Sequence, residues 1–119
     1  MGYHSDRGRE LLARNAVPEA QAEFREAIAL DYNNAAAHAG MARAYEQKND
    51  TFNARSEAQT SVRLQPNVDA LLVLARLNLK QNQVEAASDN VKQALKLEPG
   101  NSAAQTLQRE VTAKQTVPH

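Results

Sequence analysis

Four arginines, Arg9, Arg43, Arg76 and Arg109, recur at intervals of 34, 33 and 33 residues. A guanidinium is permanently charged and presents a planar donor fork that pairs bidentately with a carboxylate, which a lysine ammonium does not reproduce. A regular series of such forks suits recognition of acidic side chains. Little else in the chain could carry chemistry. There is no cysteine, hence no thiolate nucleophile, disulfide or Cys-based metal site. Glycines at positions 2, 8, 40 and 100 form no phosphate-cradling loop. His4 and His38 sit 34 residues apart, but neither has a carboxylate or second histidine at metal-ligand spacing, so packing or surface roles fit them better than a metal. Glu19, Glu23 and Glu26 share a helical face, and without a pocket three such carboxylates read as a solvated face. Asn49-Asp50-Thr51 matches a glycosylation acceptor, which matters only in a eukaryotic secretory protein. With no nucleophile and base in sight, the expectation is a protein that is not an enzyme and uses no cofactor and no metal.

The interval that separates the arginines also governs the rest of the chain. Segments 1–34, 35–67 and 68–100 align with small residues at Gly8, Ala42 and Ala75, at Ala20, Ala54 and Ala87, and at Ala27, Ser61 and Ala94. Larger apolar residues recur at Leu11 and Tyr45, Phe24 and Val91, and Leu30, Leu64 and Leu97, with helical spacing inside each unit. A period of this length means stacked units, and small residues at fixed columns let helices approach closely. Turn signals fall at Asn15-Ala16-Val17-Pro18, Asn49-Asp50, Pro66-Asn67 and Pro99-Gly100. These predict helices near 4–15, 18–30, 35–48, 51–64, 69–81 and 84–97. Residues 101–114 continue the register for one more helix through Ala104, Leu107 and Val111, but Gln108 fills the small column, so this helix should cap the stack. Residues 115–119 read as a disordered tail.

These columns closely resemble the tetratricopeptide repeat. The resemblance implies an all-α, right-handed α-solenoid of antiparallel helix pairs, seven helices in a single domain over 1–114. Tyr32 replaces the usual closing proline of unit one, Asn78 replaces an apolar residue in unit three, and His4 and His38 stand where the family often has tryptophan. The resemblance also implies that the first helices of successive units line a concave groove, with unit positions 2, 5, 9, 12 and 13 facing a ligand. The arginines occupy position 9 in every unit and in the cap. Adjacent helices lie about 8–10 Å apart, so the guanidinium groups would form a ladder that acidic groups about three residues apart on an extended chain could match. Glu46, Gln47, Leu12, Leu72, Leu79 and Lys80 complete the candidate lining, with small Ala36 and Ala39 beside them. Asp6 with Arg9 and Arg43 with Glu46 are i, i+3 pairs, so the column also admits reading as ordinary solvated ion pairs or as a relic of duplication. The carboxylate clamp of chaperone cofactors fits poorly, because its lysine, asparagine and arginine columns hold Ser5, Arg9, Gly40, Asp69 and Val73 here.

Fourteen basic and fourteen acidic residues cancel, and aromatics are 4%, which disfavours nucleic acid as a partner. No apolar run approaches the roughly 18 residues of a membrane span, so membrane insertion is not expected and the chain is taken as soluble, cytoplasmic by default. The expectation is a non-catalytic protein-interaction module that holds a peptide or helix, acidic and partly apolar, in its groove. A self-assembling repeat forming homo-oligomers is the alternative.

Overall fold

The computed structural model describes residues 3–116, which form α1 (Tyr3–Ala13), α2 (Val17–Leu30), α3 (Ala35–Gln47), α4 (Thr51–Leu64), α5 (Val68–Lys80), α6 (Val84–Leu97) and α7 (Ser102–Gln115). Consecutive helices pair as α1–α2, α3–α4 and α5–α6, and α1, α3, α5 and α7 also touch in series, so the first helices of the pairs make one continuous row. The body measures 48 × 26 × 23 Å, elongated as a stack of pairs should be.

The turn inside each pair is the same device three times. Asn15, Asn49 and Asn82 adopt φ values of 62, 61 and 60°. Asparagine tolerates this left-handed conformation better than other non-glycine residues. The next backbone N–H then reaches back five residues, from Ala16 to Leu11 at 2.8 Å, Asp50 to Tyr45 at 2.9 Å and Gln83 to Asn78 at 2.7 Å. That bond satisfies a carbonyl the helix end leaves open. Side-chain caps start most of the helices that follow: Asn34, Asp50, Asn67 and Asn101 each accept an N–H of the first turn. α2 instead carries Pro18 in its first turn, where the missing N–H costs nothing.

Three apolar clusters run through the stack, each joining one pair to the first helix of the next. Leu12, Val17 and Phe24 meet Met41 and Ala44; Ala42, Ala54 and Ala58 meet Val73, Leu74 and Leu77; Leu72, Ala87 and Val91 meet Leu107 and Val111. One apolar column departs from its expected packing. Leu30 is 76% exposed, Leu97 is also exposed and Leu64 is half-buried. Each is the final residue of its helix. The capping helix runs one residue into the segment expected to be irregular: Gln115 ends α7 and donates to Glu85 Oε1 at 3.2 Å. The rest of that segment beyond Thr116 lies outside the described residues.

Candidate functional site

The inner face of α3 follows helical spacing through Ala36, Ala39, Arg43 and Glu46. Its first two members floor a hollow of about 270 Å³, which is also lined by Arg9 of α1, Gln65, Asn67, Val68 and Asp69 around the start of α5, and Glu98 and Asn101 before α7. Three capped helix starts therefore open onto one depression. Asp69, Asn67, Glu98 and Asn101 did not stand out as lining residues in the sequence. The signal for the asparagines was the repeated cap position at the start of each first helix.

The arginine column resolves into four different situations. Arg9 pairs with Asp6 one turn earlier on α1, and both are exposed. Arg109 is exposed, its Nη2 donating to Thr106 Oγ1 at 3.3 Å. Arg76 turns toward α3, where Nε and Nη2 donate to Glu46 Oε2 and Oε1 at 2.6 and 2.8 Å, a bidentate bridge between neighbouring units. The Glu46 side chain is only 14% exposed and that of Arg76 36%. Arg43 is left half-buried with no hydrogen bond or ion pair among the described residues, because Glu46, its expected i, i+3 partner, faces Arg76 instead. The ladder thus holds one uncommitted rung in its middle.

Two leucines expected in the lining belong elsewhere. Leu12 and Leu72 are 3% and 5% exposed and sit in the first and third apolar clusters, where contact with the next unit's first helix closes over them. Leu79 is half-buried against the third cluster. Gln47 and Lys80 are exposed at the C-terminal ends of α3 and α5.

The histidine column gains the carboxylate that sequence spacing missed. His4 Nδ1 lies 2.5 Å from Glu23 Oε2, and His38 Nδ1 lies 2.8 Å from Glu57 Oε1, in each case 19 residues on and across the helix pair. The signal was there: Glu23 and Glu57 are themselves one period apart. His38 is buried, and its Nε2 lies 2.8 Å from the Tyr32 carbonyl oxygen while the Tyr32 ring stands edge-on to it. Each pair ties the first helix of a unit to its second, and among the described residues neither belongs to a group of three or more that could hold a metal ion, which leaves a packing role. Asn78, the polar intruder of unit three, is satisfied likewise: Arg55 Nη1 donates to its Oδ1 at 3.0 Å, and its Nδ2 donates to Asn90 Oδ1 at 2.8 Å.

No protein-family model matches the chain. FK506-binding protein 59 of Drosophila melanogaster is 36% identical over 70 residues, 58% of this chain but only 16% of that protein's length. Among solved structures, the first tetratricopeptide-repeat domain of human RPAP3 superposes with a TM-score of 0.83 at 19% identity, over 94% of this chain and 89% of that one. The first such domain of Spaghetti (RPAP3) bound to the HSP90 peptide SRMEEVD gives 0.83 at 19% identity, over 97% and 92%. The second domain of human RPAP3 in complex with the HSP70 peptide SGPTIEEVD gives 0.76 at 23% identity, over 92% of both chains. At these identities the likeness establishes the fold, three tetratricopeptide repeats closed by a capping helix.

Proposed function

We propose that this tetratricopeptide-repeat stack is a protein-interaction module that performs no chemistry and holds an acidic, partly apolar peptide along its row of first helices. The observation that carries the reading is Arg43. It is a half-buried arginine with no hydrogen bond or ion pair among the described residues, on the same helix face as the alanine floor of the hollow. A charge in that position gains most from a carboxylate brought by a ligand, since hydrogen bonds to charged groups contribute about 1.5–3 kcal/mol and more as water is excluded. The alanine floor leaves room beside it for an apolar ligand side chain.

The chaperone peptides held by the two RPAP3 domains are acidic as well, which supports the class of ligand. The means of reading it differ in this chain. Ser5 and Val73 stand at two clamp columns and are buried, with Ser5 Oγ accepting from Asn34 Nδ2 at 3.3 Å, and Asp69 at a third would repel a terminal carboxylate. The ligand is therefore recognised through acidic side chains within the peptide, not through its C terminus. A fluorescently labelled Gly-Ser-Ala peptide carrying one glutamate, with an amidated C terminus, tests this by anisotropy. Arg43→Ala should weaken its binding about tenfold relative to the wild-type chain. Equal affinities for the two proteins would overturn the reading.

A further inference from the structure

The Arg76–Glu46 bridge reproduces, inside the molecule, the contact an acidic ligand would make. Both Glu46 oxygens meet the guanidinium fork at 2.6 and 2.8 Å, and the carboxylate is mostly withdrawn from solvent. Arg43, one turn before Glu46 on α3, is left without a carboxylate among the described residues. The two arginines thus share a single internal acid, which has settled on the one across the unit boundary.

We infer that Glu46 is a specificity-determining residue: it fills the Arg76 site as a resident substitute for a ligand carboxylate, so the groove accepts one acidic side chain at Arg43 and rejects a second at the next rung. This rests on the reading of the row of first helices as an acidic-peptide groove. A ligand carboxylate approaching Arg43 meets an unpaired cation. A second carboxylate, about three residues further along an extended peptide, must displace a bidentate, partly buried partner and then lie beside its negative charge. Like charges at such range disfavour the doubly acidic ligand by electrostatics alone. Glu46 therefore acts by excluding the wrong peptide, as selective interfaces often do.

Two capped probe peptides in a Gly-Ser-Ala background test the inference, one with a single glutamate and one with two glutamates three residues apart. The wild-type chain should bind the single-glutamate peptide several-fold more tightly than the two-glutamate one. Glu46→Gln, which keeps the shape and removes the charge, should bind the two-glutamate peptide about tenfold more tightly than the single-glutamate one, and adding Arg76→Ala should abolish that gain. Arg76→Gln provides an independent arm: it frees Glu46 to turn back to Arg43, so both peptides should bind more weakly than to wild type. An unchanged two-to-one ratio in Glu46→Gln overturns the inference while leaving the groove reading intact. So does equal weakening of both peptides together with a lowered melting temperature, the mark of a purely structural bridge. Failure of either peptide to bind any of these proteins overturns both readings.

Discussion

Phe24 is fully buried where α2 meets the crossing of α1 and α3, and it fills space that two glycines leave open. A Cβ on Gly8 would stand 2.6 Å from the Phe24 ring, and one on Gly40 would overlap the same ring more closely still. A glycine inside a helix costs about 1 kcal/mol of propensity relative to alanine, so Gly40→Ala offers a local gain. The overlap opposes it. Phe24 is walled by Leu12, Val17 and Met41 and has nowhere to retreat, and overpacking of this kind costs about 1–3 kcal/mol. Gly40→Ala should therefore lower the unfolding free energy in urea despite the better helix former, whereas Gly100→Ala, with nothing near its Cβ direction, should leave packing undisturbed. Greater stability in Gly40→Ala would mean that the ring yields and that unit two does not depend on this close approach.

Helix boundaries were almost fully legible in the sequence, because each is written in residues with a local physical reason. Asparagine at unit position 15 marks the left-handed residue that ends every first helix, and Asp50 marks the start of α4. Asp50 accepts from the Asn53 side chain at 2.8 Å and from its backbone N–H at 3.2 Å. Those bonds, side chain first, hold the Asp50 carboxyl below its ordinary value of 3.8, with Lys48 adding a smaller electrostatic pull. A lowered folded-state value stabilises the fold above the unfolded value and loses that contribution as pH falls through the folded one. The melting temperature of Asp50→Ala should thus lie below wild type at neutral pH, and the gap should narrow as pH is taken below 3.8. A gap constant across that range would show that the cap does not depend on its charge. Partnering between helices was less legible. In the sequence Glu46 is the i, i+3 neighbour of Arg43, and its pairing with Arg76 instead depends on how α5 is rotated against α3. The histidine–glutamate pairs were hidden for the same reason, since a 19-residue separation has meaning only once two helices are folded against each other.

At the scale of the whole molecule, a stack of repeats must finish its apolar faces, and α7 does so at the C-terminal end of the described array. Ala104, Leu107 and Val111 close over Leu72, Ala75 and Val91, while Gln108, in the column that a further second helix would need to be small, is exposed. This was readable because a cap keeps the register of a repeat and breaks only the column that would admit another helix. α7 also places Asn101 and its preceding turn at the rim of the hollow, so the cap finishes the groove as well as the core. A chain ended after Gly100 should therefore lose more than one helix. Burial contributes about 25 cal/mol per Å² of apolar surface, and uncovering the third cluster removes that contribution on both sides of the interface. In a quasi-linear array the loss falls first on the terminal pair, α5–α6, which also carries Arg76. The truncated chain should melt at a lower temperature with reduced cooperativity, and light scattering should show concentration-dependent association through the bared face. Arg76 would then be loosened from Glu46 even though neither residue lies in the deleted segment. A truncated chain that remains monomeric and keeps the wild-type melting profile would show that the three pairs are self-sufficient and that α7 serves the rim of the groove alone.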